Sequence, residues 1–136
     1  MLKILHYIPV YAPAWKFGGP ILSVSQLCEG LVSLGHQVEV FTSNACLENN
    51  PQIIPNRPIV NNGVTVTYFS TTVGVGGIHS PSMEKAVQER VKEFDLVHIT
   101  GIWQPTSYAA CQAAIAFNIP YILSLIHISE PTRPRL

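Results

Sequence analysis

Short apolar runs alternate with segments of helical period along most of this chain, and this alternation constrains its fold more than any other feature. The runs that predict strands are Lys3–Pro9, Gln37–Thr42, Val64–Phe69, Asp95–Thr100 and a fifth beginning at Tyr121. The segments that predict helices are Pro20–Leu34, Ser80–Glu93 and Thr106–Phe117. Strands that alternate with helices across short junctions predict an α/β fold with a parallel sheet covered on both faces.

The helix signals also predict which side chains face inward. In the first helix these are Ile21, Val24, Leu27, Cys28, Leu31 and Leu34, and in the second Met83, Ala86, Val87 and Val91. Gly35 suits the left-handed residue that ends the first helix, and Asn118 closes the third.

Two connecting segments show neither the helical nor the strand spacing of apolar residues. The segment Ser43–Gly63 contains prolines and asparagines and predicts a long loop, the least ordered part of the chain. The glycine-rich segment Thr72–Ser80 precedes a helix, which leaves two interpretations open: a flexible connection or a cradle for an anion.

Composition excludes several classes of partner. The 136 residues suffice for one domain with a moderate core, and a net charge of zero with 12% charged residues argues against a nucleic-acid partner. No apolar run is long enough to predict a transmembrane segment, and the first apolar run ends at Pro9 like a strand rather than a signal peptide. Three cysteines without a C-x-x-C spacing predict free thiols in a reducing compartment, by default the cytoplasm.

Metal chemistry is not predicted either. No two histidines have the i, i+4 spacing of a helical metal site, and no cysteine pair supports zinc. Asp95 is the only aspartate, so a D-x-D site for a metal–diphosphate complex is impossible in this chain. We therefore expect neither a metal nor a bound cofactor.

The stretch "YAPAWKFGGP" joins the first predicted strand to the first predicted helix. Parallel α/β folds bind ligands at the carboxyl ends of their strands, and a helix N-terminus attracts phosphate or carboxylate. Gly18 and Gly19 allow the backbone to approach a ligand closely. A dinucleotide is not expected, because the G-x-G-x-x-G spacing is absent and the second strand ends "VFTSN" without an acidic residue.

Two blocks of the sequence resemble the retaining glycosyltransferases of family 4, which have the two-domain GT-B fold. The first is "HYIPVYAPAWKFGGPILSVSQLCEGLVSLGHQVEVFTSN" and the second "FDLVHITGIWQPTSYAACQAAIAFNIPYILS". The fold this implies is a Rossmann-like parallel sheet flanked by helices, a partial N-terminal half of GT-B. In that family the N-terminal domain mainly binds the acceptor, whereas the C-terminal domain, missing here, binds the nucleotide-sugar.

The resemblance implies roles for the first loop. Gly18 and Gly19 would lie at the interdomain cleft, where their backbone meets the donor diphosphate or the transferred sugar. Trp15, Lys16 and Phe17 would form a wall of that cleft for donor or acceptor.

The fourth strand carries a second set of candidates. Many family members read H-x-H where this chain has His98 and Thr100, so the role of the second histidine does not transfer. Thr100 and Gly101 end the strand, and a hydroxyl is a poor general base at neutral pH. The pattern favours His98 as a buried strand histidine over a catalytic one. Trp103 and Gln104 suit sugar contact, although Trp103 equally suits a cap on the core.

The end of the chain breaks the pattern. The residues "LSLIHISEPTR" resemble one translated frame of a common sequencing-library adapter. We therefore interpret residues 1–122 as a partial N-terminal, acceptor-side domain and residues 123–136 as a non-native tail.

Two functions remain open at this point. The first is a fragment of a metal-independent, retaining hexosyltransferase that moves sugar from a nucleotide-sugar to a glycan or lipid-linked acceptor in polysaccharide biosynthesis. That family also allows peripheral attachment at the inner face of a membrane. The alternative is a stand-alone Rossmann-like module that binds a small anion at the first strand–helix loop without catalysis.

Overall fold

The first strand of the chain is the centre of its sheet. In this computed structural model, which describes residues 1–13, 19–45, 47, 49–74, 77–100 and 105–124, six strands form one sheet and two form a separate hairpin. The strands are β1 (Lys3–Tyr7), β2 (Gln37–Ser43), β3 (Pro58–Asn61), β4 (Val64–Phe69), β5 (Thr72–Gly74), β6 (Gly77–His79), β7 (Leu96–Thr100) and β8 (Tyr121–Ser124). The sheet order is β3-β4-β2-β1-β7-β8, with every neighbouring pair parallel except β3 and β4.

Three α-helices cover the sheet. They are α1 (Gly19–Ser33), α2 (Pro81–Arg90), which continues as a 3-10 turn over Val91–Glu93, and α3 (Pro105–Ala116). One core cluster joins α1 to its face of the sheet, and a second joins α2 and α3 to the other face. The predicted α/β fold with helices on both faces is confirmed.

The inward face of α1 is narrower than predicted. Ile21, Val24 and Cys28 are buried, whereas Leu27 is 44% and Leu34 75% exposed. Leu27 lies on the flank of the buried stripe, and Leu34 follows the last residue of the helix, so the prediction for these two leucines was wrong. The left-handed residues Gly35 (φ 97°) and Asn118 (φ 56°) lie where the sequence predicted them.

The predicted long loop between β2 and β4 contains a strand. β3 pairs antiparallel with β4, with Asn61 opposite Val64, through a tight turn at Asn62 and Gly63. Both turn residues have positive φ, 52° and 83°, which is the conformation that an Asn-Gly hairpin turn requires. The prediction of an unstructured loop here was wrong because this "NNG" signal outweighs the prolines upstream.

The glycine-rich segment before α2 is also more regular than predicted. β5 and β6 pair antiparallel, from Thr72 opposite His79 to Gly74 opposite Gly77. Backbone pairing therefore takes the place of the flexible connection, which was one of the two interpretations of this segment. The cysteines agree with the prediction, since Cys28 and Cys111 are free thiols and Cys46 lies outside the described residues.

Candidate functional site

The carboxyl ends of β1, β2, β4 and β7 lie along one edge of the sheet, because these strands are parallel. Three predicted site residues are described at or near this edge: Gly19, which begins α1, and His98 and Thr100 in β7. The others lie outside the described residues; they are Trp15, Lys16, Phe17, Gly18, Gly101, Trp103 and Gln104.

The chain that leaves β1 is anchored to the neighbouring strands before it reaches the predicted loop. The Ser43 backbone N–H and hydroxyl both donate to the carbonyl of Pro9. The Tyr68 hydroxyl donates to the carbonyl of Ala12, and Tyr11 is buried. Because β2 and β4 both hold this segment, the position at which the chain turns away from the sheet is fixed.

Buried oxygen atoms without partners lie at the same edge. Thr42 and Thr100 are 0% and 1% exposed and Asn44 is 8% exposed, yet Thr42 Oγ1, Thr100 Oγ1 and Asn44 Oδ1 make no hydrogen bond in the described structure. His6 of β1 lies opposite Val40 of β2 and His98 of β7. Thr42 and Thr100 are two residues further along those two strands, so they flank the end of β1 on its two sides. Strand alternation places both threonines on the α1 face.

Such groups are costly to bury unless something pairs with them. An unsatisfied buried hydroxyl costs about 1–3 kcal/mol, and most buried polar atoms in proteins have a partner. A ligand hydroxyl at this edge would supply the missing bonds, since a threonine hydroxyl both donates and accepts. The first turn of α1, Gly19 to Leu22, also carries no acidic side chain that would compete with an anion for its N–H groups.

Two histidines pack beneath this edge. The rings of His6 and His98 lie with centroids 4.6 Å apart. Burial, and then the proximity of His98, lowers the pKa of His6 to about 3, and burial lowers the pKa of His98. Both imidazoles are therefore neutral at neutral pH. His98 is half-buried in mid-strand, which fits its interpretation as a strand histidine.

A hydrogen-bonded group on the opposite face joins two loops of the same edge. Ser80 caps α2 by accepting from Met83 N–H, and its hydroxyl donates to the carbonyl of Ser70, 2.7 Å away. Thr106, in the first turn of α3, donates to Glu84 at 3.0 Å and accepts from Ser80 N–H at 3.3 Å. Its carbonyl accepts from the Tyr7 hydroxyl. The starts of α2 and α3 are thus held together.

Neither a metal site nor a membrane span is found in the part of the chain that the structure describes. No group of three metal-ligating side chains occurs there, and no helix there is long and apolar enough to cross a bilayer. His36 lies next to the amino end of β2, where its Nδ1 accepts a hydrogen bond from Leu2 N–H, a structural contact far from the carboxyl edge.

The comparison with protein families decides the classification. A family model described as "Glycosyl transferase 4-like domain" matches residues 18–135. The chain belongs to this family. The match begins at Gly18 and includes the residues that follow β7, so of the candidate site residues only Trp15, Lys16 and Phe17 precede it. It also extends to residue 135, and β8 includes Leu123 and Ser124, while the assignment of residues 123–136 as a non-native tail stays a prediction.

One solved structure supports the fold of this glycosyl transferase 4-like domain. Sucrose-phosphate synthase from Thermosynechococcus elongatus matches with a TM-score of 0.54 and 18% identity, over 89% of this chain. The chain spans 32% of that protein, in the manner of the N-terminal half of a GT-B fold. The C-terminal domain of a Pyrococcus furiosus hydrogenase matches with a TM-score of 0.47 and 15% identity, over 90% of each chain. No curated protein matches the chain.

Sequence reasoning missed Thr42 and Asn44. The end of β2, "VFTSN", served only to exclude a dinucleotide site. Its signal was available: in a strand with alternating burial, Val38 and Val40 point toward α1, so Thr42 is the next residue on a core-facing row. A polar residue in that row at a strand's carboxyl end is typical of a binding edge.

Proposed function

We propose that this chain is the acceptor-side part of a glycosyltransferase that moves a sugar from a nucleotide-sugar to a hydroxyl group of a glycan or lipid-linked acceptor. The observation that carries this proposal is the glycosyl transferase 4-like match over residues 18–135. The fold supports it, because the carboxyl ends of β1 and β7 lie side by side at one edge of the sheet.

The chemistry at this edge is binding and orientation. The free N–H groups at the start of α1 suit a diphosphate or the oxygen atoms of the transferred sugar. Thr42 and Thr100 suit sugar hydroxyls, because both are buried and neither has a partner in the described structure. Trp15, Lys16, Phe17, Trp103 and Gln104 would complete the walls of the cleft.

Catalysis in this proposal does not depend on a general base from this chain. Thr100 replaces the second histidine of the H-x-H pattern, and burial keeps His98 neutral in mid-strand. The rate would come from electrostatic stabilisation of the departing diphosphate by the second domain of a longer gene product. The transfer would retain the anomeric configuration and need no metal. A hexose donor, a cytoplasmic setting with peripheral attachment to the inner face of a membrane, and a role in polysaccharide biosynthesis are further parts of the proposal.

The first test is a long read across the gene past the codon for Leu123. A reading frame that continues into a further domain with an E-x7-E spacing supports the proposal. The gene product of that frame should then release nucleoside diphosphate from a nucleotide-sugar in the presence of an acceptor extract. A genomic stop codon directly after Leu136 contradicts it and favours the small-anion module, which phosphate binding near Gly19 would reveal.

A further inference from the structure

A pocket of about 210 Å3 lies on the α1 face of the sheet, and two of its lining residues, Ala12 and Pro13, precede the loop that the proposed function uses. Four segments distant in sequence form it: Ala12 and Pro13 after β1, residues 50–53 after β2, β3, and Tyr68 of β4. In the sequence, Pro13 precedes Trp15, a residue of the predicted wall of the cleft, by two positions.

The polar part of the pocket consists of side-chain amides. Asn50, Gln52 and Asn61 line it, and the amides of Gln52 and Asn61 make no hydrogen bond in the described structure. Asn50 Oδ1 accepts from Gln52 N–H at 2.9 Å, which leaves its NH2 group available. The backbone of this segment is fixed by turns, since Ile53 N–H donates to the carbonyl of Asn50.

The apolar part comes from three buried or half-buried side chains. Ile53 is 8% and Tyr68 1% exposed, and Ile59 packs against the same core cluster. The Tyr68 hydroxyl donates to Ala12, so this residue offers the pocket its ring rather than a free hydroxyl. None of the lining side chains carries a charge.

This lining selects for one ligand chemistry. Each amide offers a donor and an acceptor, which matches adjacent hydroxyl groups, and apolar side chains match the C–H face of a ring. A phosphate or carboxylate would find no cation, and a purely apolar ligand would leave the amides unpaired. The volume equals that of about seven water molecules at about 30 Å3 each, room for one ring rather than a chain of rings.

We propose that this pocket binds one uncharged sugar ring. The ring would belong to the acceptor, distal to the hydroxyl that receives the transferred sugar; this assignment to the acceptor rests on the proposed function, whereas binding of the ring does not. The three amides orient the ring, and Ile53, Ile59 and Tyr68 support its apolar face.

The test is a titration of the 136-residue chain, labelled with 15N, with methyl α-D-glucopyranoside, methyl β-D-galactopyranoside and N-acetylglucosamine. We expect at least one of these sugars to shift the backbone amides of Asn50, Gln52 and Asn61 with millimolar affinity. Glucuronic acid should bind at least threefold more weakly than its neutral counterpart. Absence of shifts at these residues with all three sugars at 100 mM, or equal binding of glucuronic acid, overturns the proposal.

Single variants localise the effect. Gln52→Ala and Asn61→Ala should each weaken binding at least threefold, and both side chains are exposed, so the fold should persist. Gln112→Ala removes an equally exposed amide on α3 and should leave the affinity unchanged. Equal affinity in all three variants overturns the pocket as the site.

The proposed function and the sugar-binding pocket can be overturned independently of each other. If a neutral sugar binds here but the longer gene product transfers no sugar, the proposed function and the acceptor assignment fall, while sugar binding stands. If the longer product is an active transferase and no sugar binds at this pocket, only the present inference is overturned.

Discussion

His6 and His98 face each other from neighbouring strands, with their ring centroids 4.6 Å apart and their planes tilted by 57°. His6 is 1% exposed, and its Nδ1 has no partner in the described structure. A buried imidazole beside another accepts a proton poorly, because the charge would lose its hydration and meet a like charge. This pair therefore links folding to pH.

Lowering the pH from 7 to 5 should destabilise the chain by roughly 2 kcal/mol through His6 alone. The pKa of His6 falls from 6.5 to about 3 on folding, so between these values the unfolded chain binds the extra proton. The stabilisation is complete above pH 6.5 and is lost as the pH falls toward 3. Urea unfolding at several pH values measures it.

The test variant is His6→Leu. It removes the buried imidazole and should reduce the dependence of unfolding free energy on pH between 7 and 5. Equal slopes for the wild type and His6→Leu would contradict the assignment.

Thr100 and Thr106 offer a matched comparison of two buried hydroxyls. Thr100 is 1% exposed without a partner in the described residues, whereas Thr106 is 0% exposed and bonds to Glu84 and Ser80. Thr100→Val should leave the free energy of unfolding unchanged or raise it by up to about 1 kcal/mol, and Thr106→Val should lower it by about 1–3 kcal/mol. Thermal and urea unfolding of both variants measure this difference.

The same pair separates stability from function. In the longer transferase that the proposed function requires, Thr100→Val should reduce sugar transfer even though the fold is not weakened. A Thr100→Val variant that is less stable than Thr106→Val would show that the hydroxyl of Thr100 has a structural partner. Full activity of the Thr100→Val enzyme would show that Thr100 does not belong to the binding site.

The architecture was largely predictable because its signals are local. Apolar runs and helical spacing gave β1, β2, β4, β7 and the three helices to within a few residues. β3 was not predicted because little of it is buried. Val60 is 72% exposed, so the strand lacks the alternating apolar residues that would indicate it in the sequence. The turn signal at Asn62 and Gly63 was the one feature of the sequence that could have revealed the strand.

The site was less predictable than the fold. Gly19, His98 and Thr100 could be placed at the carboxyl edge from strand order and resemblance. Whether a buried hydroxyl such as that of Thr42 has a hydrogen-bond partner depends on strands that are distant in the sequence. No local sequence pattern predicts this. The sugar pocket joins residues from Ala12 to Tyr68 and depends on β3, so it could not be predicted without that strand.

The outer edge of β8 should promote self-association. Tyr121, Ile122 and Leu123 are 38%, 50% and 44% exposed, although strands of parallel sheets are normally covered on both faces. We expect sedimentation velocity to show association at high micromolar concentration, reduced at least threefold by Ile122→Lys. Leu34→Lys, which adds the same charge at a 75% exposed turn, is the control. A wild-type chain that stays monomeric at these concentrations would disprove this expectation.

The segment 1–122 alone should not transfer sugar. In the proposed mechanism the donor diphosphate is stabilised mainly by a second domain, so this segment supplies only part of the transition-state stabilisation. Release of radiolabelled nucleoside diphosphate from nucleotide-sugars, with and without acceptor extract, measures the activity. Turnover above the background of a heat-denatured sample would refute the division of roles between the two domains.

The pairing of β1 with β7 has a consequence for synthesis of the chain on the ribosome. Lys3 and Asp95, whose side-chain and backbone contact closes this pair, are 92 residues apart, whereas β2 reaches β1 much earlier. The nascent sheet therefore exists first as β3-β4-β2-β1 with its future centre as an open edge. Release or stalling before Leu96 is added would leave one edge of the apolar strand β1 exposed to other nascent chains, so the interval between synthesis of β4 and synthesis of β7 carries the greatest risk of misfolding.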